Sequence, residues 1–481
     1  MGAGHLRVVA VMFLFLGALF GAAAVSGARG ATAVRAATSP CQFQKAAQPV
    51  HVAFCDSFDK AAAANATRSG ALNPTAWGVS RVIAGSGTNP GQGVIDRFPA
   101  AAKGACGGGT AQGDSDVYMC GGRLFDSVND GGGQTVLAMY PRQPFDIAGR
   151  TGTVTFDVSD NSQGPHGAWP SFVYTDQPVP APYDTASGIM TSARNSFGFS
   201  LDYVYNPAGE YLPGHTCATG GHTIGEVWET HNGRVVGDAT VGGVNPAVAT
   251  GFGRWQDTGC INSSSSPTAL SHIEVRISTG KVVVWGSNPG TTGLVERGEL
   301  DNASLPLTRG LVWIEDVHYN GNKFGSQGTN TFGWDNVGFD GPVLRRDLAL
   351  EVPEHSQTML GWTGGSTVTT LAGTAAQLKA ASGALVELNW WAETETVPTI
   401  SVNGHAAIAT VWPFASQSIS AGFGPTSVWK TIAVPVPLSE LVAGANSIKV
   451  TNAPGGFANV DIILQGARGV PTCLDPSSCG G

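Results

Sequence analysis

TFGWDNVGFDGP, residues 331–342, decides the fold. Neighbouring side chains of a strand point to opposite faces. Phe332, Trp334 and Asn336 therefore share one parity, and Asp335, Val337 and Phe339 the other. The reading this gives is a closing strand with Val337 and Phe339 in a core. Asp335 would lie on their side, needing a hydrogen-bond partner or an ion. Trp334 and Asn336 would stand on the opposite, open face. A bulge at Gly333 or Gly338 would reverse that assignment.

The same period-two pattern recurs along the chain. GTVTFDVSD (152–160) aligns Val154, Phe156 and Val158, and SFGFSLDYVY (196–205) aligns Phe197, Phe199, Leu201, Tyr203 and Tyr205. SHIEVRIS (271–278) alternates Ile273, Val275 and Ile277 with His272, Glu274 and Arg276. These stripes mark half-buried antiparallel strands, and no sustained helical period competes with them. With 67 Gly, 28 Pro, 42% apolar and only 13% charged residues among 481, the composition suits many short strands joined by turns.

GPVLRRDLALEVPEH (341–355) reads as a linker, with two prolines and a cluster of charges. Strands restart at ALVELNWWAE (384–393), PTISVNGH (398–405), WKTIAVPV (429–436), NSIKVTN (446–452) and FANVDIILQG (457–466). The expectation is an all-β chain of two jelly-roll-type β-sandwich domains, 39–345 and 346–468, with a C-terminal tail at 469–481.

Residues 1–38 read as a signal peptide. Arg7 precedes the apolar run VVAVMFLFLGALFGAAAV (8–25), and small residues follow it. The expected location is therefore extracellular, with no membrane contact after cleavage. Removing the three arginines of that segment from 26 basic residues leaves 23 against 35 acidic ones, a net charge of −12. An acidic surface disfavours nucleic acid and anionic membranes. The eight cysteines are Cys41, Cys55, Cys106, Cys120, Cys217, Cys260, Cys473 and Cys479. Behind a signal peptide an even count predicts disulfides, and nearest-neighbour pairing would staple four Gly-rich loops.

FCDSFDK (54–60), the pair HIEVRIS and KVVVWGS, and the closing GWDNVGFDGP together resemble a concanavalin A-like lectin/glucanase domain. ISVNGH, VPVPLSELVAGANSIKV and ANVDIIL are similar to a galactose-binding-like jelly-roll module. Both resemblances imply a secreted protein that binds or processes glycans. They also imply an oxygen-ligated structural calcium, with Asp157 and Asp335 as the foremost ligand candidates, although no EF-hand spacing exists. No other cofactor is required.

Glycoside hydrolysis needs two carboxylates flanking the bond. The laminarinase-like patterns E-x-D-x-x-E and E-x-D-x-E are absent. The nearest substitutes are Glu226 and Glu229 in GEVWETH (225–231), with Glu315 and Asp316 in WIEDVHYN (313–320). Each pair straddles both faces of a flat strand, so a pairing of Glu226 or Glu229 with Glu315 requires two strands. Sugars stack their C–H faces on aromatic rings, with amides and carboxylates fixing the hydroxyls. Trp334, Asn336, Trp228, Trp313 and Trp391 are the contacts so predicted. The leading expectation is a binder of an extracellular polysaccharide or glycan. A glycoside hydrolase or polysaccharide lyase is the alternative, and an adhesion module without sugar chemistry is the third.

Overall fold

The computed structural model describes residues 40–47, 50, 52–62, 72–73, 76–84, 114–129, 134–146, 151–160, 168–175, 196–204, 222–231, 234–235, 254–257, 269–278, 280–303, 309–319, 330–341, 348–350, 356–357, 361–362, 367–392, 398–410, 428–451 and 455–466. The predicted signal peptide and the C-terminal tail lie outside these residues.

The first part of the chain runs through β1 (Val52–Asp56), β2 (Trp77–Ala84), β3 (Asp114–Cys120), β4 (Arg123–Asn129), β5 (Gln134–Pro141), β6 (Phe145–Asp146), β7 (Thr151–Asp160), β8 (Ala168–Thr175) and β9 (Ser196–Val204). It continues through β10 (His222–His231), β11 (Arg234–Val235), β12 (Arg254–Asp257), β13 (Ser271–Ser278), β14 (Gly280–Gly286), β15 (Val295–Ala303), β16 (Arg309–Tyr319) and β17 (Asn330–Asp340). Then come β18 (Leu348–Leu350), β19 (Ser356–Gln357), β20 (Gly361–Trp362), β21 (Thr367–Gly373), the helix α1 (Ala375–Ala380), β22 (Ala381–Ala392), β23 (Thr399–Val402), β24 (Ile408–Ala409), β25 (Val428–Val436), β26 (Gly444–Thr451) and β27 (Gly455–Gly466).

Among the described residues four sheets form, and these residues are all-β apart from α1 and a 3-10 turn at Leu438–Glu440. One sheet has eight strands in the order β15-β14-β13-β7-β17-β4-β3, with β1 also on β17. A ten-stranded sheet runs β11-β10-β9-β8-β16-β5-β2-β19, with β12 on β10 and β6 on β16. Their facing sides share one core that includes Val154, Phe156, Ile273, Val312, Ile314 and Phe172. The other two sheets, β18-β27-β22-β25 with β20, and β21-β26-β23-β24, enclose a second core around Val386, Ile400, Ile448 and Ile462. The stripes of β7 and β13 face the core as their alternation requires. One strand falls within 341–355 and another just beyond it. β18 already belongs to the second sandwich, paired with β27, and β19 returns to pair in parallel with β2.

The closing strand corrects the first expectation. Against β7 its register runs from Phe332↔Asp160 to Asp335↔Asp157, then resumes at Gly338↔Thr155, one residue out of step. Asn336 supplies the bulge with φ +49, a left-handed conformation that Asn tolerates better than most residues. The extra residue inverts the parity midway. Phe332 and Trp334 before it and Val337 and Phe339 after it all enter the same core. Trp334 is 1% exposed, so the surface contact predicted for it is wrong. Its indole N–H is instead satisfied by Asp126 of β4. Asp335 likewise does not share the face of Val337, because the bulge separates them.

Candidate functional site

The register of the ten-stranded sheet gathers four of the predicted residues. Glu315 of β16 lies opposite Ser171 of β8, which lies opposite Ser200 of β9, which lies opposite Glu226 of β10. The row continues to Trp255 of β12. Two residues along, Trp313 is in line with Val173, Gly198 and Trp228. Residues of one row, and those two apart on each strand, fall on one side of a pleated sheet. On β16 the parity of Trp313 and Glu315 is opposite to that of Val312 and Ile314, so these two lie on the side away from the core. The two Glu/Trp pairs are separated by strands that bring only Ser171, Val173, Gly198 and Ser200 to these rows. Three strand spacings set them about 14 Å apart at the backbone.

Glu229 and Asp316 are not part of this arrangement. Glu229 pairs with Phe197, one residue out of the row, and Asp316 shares the parity of Val312 and Ile314. The question of which glutamate of GEVWETH lines up with Glu315 is thus answered by register, in favour of Glu226.

Glu315 and Trp313 are both fully buried. Trp313 packs on Tyr140, ring centroids 6.1 Å apart, and the Tyr140 ring in turn lies over Gly78. A Cβ at position 78 would fall 2.3 Å from that ring, so only glycine fits beneath it. Open stacking of a sugar on Trp313 is therefore ruled out in this conformation, a second correction. Neither carboxylate oxygen of Glu315 nor the indole nitrogen of Trp313 has a hydrogen-bond partner among the described residues. Burial pushes the Glu315 carboxyl well above the ordinary glutamate range. Burial without a hydrogen-bond partner disfavours its charged form.

The outer face of the eight-stranded sheet carries a second polar cluster, of which Asp157, Asp335 and Asn336 were nominated from the sequence, but not His272 or Glu274. Asp157 Oδ1 meets His272 Nδ1 at 2.6 Å, and Asp157 Oδ2 accepts the side-chain amide of Asn336 at 2.7 Å. His272 Nε2 lies 3.2 Å from Glu274 Oε1. Burial alone would lower the His272 pKa, but hydrogen bonds to Asp157 and Glu274, and their charges, carry it up to about 9. Asp335, opposite Asp157, is raised to about 6, first by burial and then by the nearby charges of Asp157 and Asp59; the Asn336 N–H and Arg123 oppose the rise. Both oxygens of Asp157 are thus committed to His272 and Asn336. No cluster of three or more His, Cys, Asp or Glu suited to a metal occurs among the described residues. The alternation of His272 and Glu274 in HIEV was the available sequence signal, since it puts both on the polar side of β13.

Asn336 is thus a structural partner of Asp157. The side chain of Trp391 lies outside what is described, although its backbone pairs with Trp429 and Gly456. Cys41 and Cys55 are disulfide-bonded to each other, as nearest-neighbour pairing predicts, and Cys120 is also disulfide-bonded. The other five cysteines fall outside the described residues. No helix among the described residues is long and apolar enough to cross a membrane.

No family model and no curated protein matches the chain. Solved structures do resemble it. The calcium- and mannose-bound VIP36 exoplasmic/lumenal domain is 10% identical with a TM-score of 0.31, over 46% of this chain and 80% of that one. Lectin UEA-II in complex with galactose is 11% identical with a TM-score of 0.30, over 47% and 89%. A glycosyl hydrolase family protein from Mycobacterium fortuitum is 16% identical with a TM-score of 0.33, over 60% and 100%. Matches at this identity and score carry no argument about fold, ligand or activity.

Proposed function

We propose that the chain is a secreted carbohydrate-recognising protein of two sandwiches, 39–345 and 346–468, and that an extracellular glycan lies along the outer face of the ten-stranded sheet. The observation that carries this reading is the register that sets Trp313 and Glu315 against Trp228 and Glu226 across strands of Ser, Gly and Val. That arrangement describes a trough about three strand spacings, or roughly 14 Å, wide. One wall, Trp313 with Glu315, is buried. Trp228, Glu226 and Trp255 would supply the stacking ring and the hydroxyl contacts. The second sandwich would be a galactose-binding-like accessory module, with Trp391 as its candidate contact. A structural calcium at Asp157 and Asp335 would have to displace the His272 and Asn336 contacts of Asp157.

Hydrolysis is the second reading, favoured by the raised pKa of the buried Glu315 in the row of Glu226. Glycosidase carboxyls stand about 5–10 Å apart, closer than the backbone spacing of this pair. Binding is therefore preferred to turnover. The test is a polysaccharide array followed by calorimetry on the mature protein. Trp228→Ala should weaken binding at least tenfold, and Glu315→Gln should leave affinity within about twofold. Product release that vanishes in Glu315→Gln while binding persists would replace the binder by the hydrolase. An array with neither binding nor product would leave the adhesion module.

A further inference from the structure

The segment 40–47 has no strand of its own, yet it lies against the outer face of the eight-stranded sheet through a set of contacts to its backbone. Glu274, fully buried, receives the N–H of Gln44 at 2.6 Å on one oxygen and the N–H of Lys45 at 2.7 Å on the other. Arg276 donates to the Lys45 carbonyl at 3.3 Å and stacks over Trp285, 4.8 Å from the ring centroid. Lys45 Nζ lies 5.8 Å from the same ring. Two successive N–H groups on one carboxylate, with a guanidinium on the Lys45 carbonyl, is recognition of a bent peptide by its main chain.

The segment is tied down by the Cys41–Cys55 disulfide, which joins it to β1. Gly338, in the second half of β17, lies directly beneath. A Cβ there would stand 2.8 Å from Cys41 Cβ, 2.9 Å from its sulfur and 3.1 Å from Phe43 Cζ. The strap therefore rests flat on backbone that has no side chain to hold it off.

We propose that residues 40–47 are a redox-latched strap occupying a peptide-backbone site built by Glu274, Arg276 and Trp285, and that opening the Cys41–Cys55 disulfide releases it. A dithiol reductant supplies the two electrons and closes to its own cyclic disulfide. The S–S bond breaks, and each cysteine sulfur takes one proton to become a thiol. Release uncovers the row Asp157–His272–Glu274, whose buried end is covered by the strap. With the disulfide closed, the strap is tied to β1 both at Cys41 and through the chain itself; with it open, its start loses that tie and is held by the Glu274, Arg276 and Trp285 contacts of Gln44 and Lys45.

Amide hydrogen exchange on the full chain tests the latch. Cys41→Ser/Cys55→Ser leaves every other disulfide untouched, and Gly338→Ala lifts the strap while leaving both cysteines in place. In both variants the Gln44 and Lys45 amides should exchange at least tenfold faster, while the amides of β7 and β13 keep their protection. Dithiothreitol on the native chain should reproduce the effect at Gln44 and Lys45. Unchanged protection of these two amides in both variants would overturn the latch. A joint loss of protection through β7 and β13 would overturn it too, since the strap would then be part of the core.

Discussion

Trp334 donates its indole N–H to Asp126 at 2.5 Å, and the other oxygen of that carboxylate accepts the Phe332 N–H at 3.1 Å. Both partners are buried, Asp126 wholly and Trp334 at 1% exposure. The ring packs against Phe156, centroids 5.7 Å apart. Asp126→Ala strands two donors in the core and should cost about 2–3 kcal/mol. Trp334→Ala should cost about 3–5 kcal/mol through the cavity it leaves. Urea denaturation measures both. Trp334→Phe should lower stability while leaving glycan affinity intact, and a selective loss of affinity would return Trp334 to the binding surface.

This pair also shows how far the sequence could be read. Alternation placed the stripes of β7 and β13 correctly, because regular strands repeat every two residues and one buried face imposes that repeat. In β17 the decisive feature was a single residue in a left-handed conformation. Asn336 is compatible with that conformation, but composition cannot say whether the bulge falls there or at either neighbouring glycine. The trough was half legible. Glu226, Trp228, Trp313 and Glu315 could be nominated by type, but lining them up depends on β8 and β9 lying between β10 and β16. That order is set by tertiary packing. The His272 cluster escaped for a related reason: its members come from β7, β13 and β17, which are distant in sequence.

The buried carboxyl of Glu315 fixes a direction for pH. Its pKa is raised on folding, so the native state holds the proton over a range where the unfolded chain has lost it. Stability from this group is fully present below about pH 4.5 and is lost as pH rises toward the folded pKa. Glu315→Gln keeps the shape and the neutral state at every pH. The variant should match the native protein near pH 4 and exceed it by about 1–3 kcal/mol near pH 8. Urea midpoints at the two pH values decide it, and equal midpoints at both would mean that the carboxyl is paired.

His272 behaves in the opposite chemical sense with the same slope. Its folded pKa of about 9 exceeds the unfolded value of 6.5, so the protonated ring stabilises the fold. That contribution is complete below pH 6.5 and fades as pH rises through about 9. The linkage is worth about 3 kcal/mol at most. NMR titration of the ring should show a midpoint near 9. His272→Gln should flatten the loss of stability between pH 6.5 and 9, and a midpoint near the ordinary histidine value would show that Asp157 and Glu274 do not hold the proton.

In the second sandwich one buried amide ties three stretches of chain. Asn446 Oδ1 accepts the Val442 N–H at 2.8 Å and the Asn403 amide at 2.9 Å, while its Nδ2 donates to the carbonyls of Val442 at 2.9 Å and Gly444 at 3.1 Å. Asn403 and Gly404, with φ +50 and +78, form the tight turn after β23. The network therefore fixes that turn against β26. Asn446→Ala should cost about 2–4 kcal/mol. Asn446→Asp is the sharper probe, because an ionised carboxylate would present oxygen to the carbonyls of Val442 and Gly444. A protonated one could still donate to one of them. Asn446→Asp should therefore be at least as destabilised as Asn446→Ala at pH 7 and regain part of the difference as the pH falls toward 4. Denaturation midpoints measured across that range test the assignment of the amide, and an aspartate variant as stable as the native chain at pH 7 would reverse it.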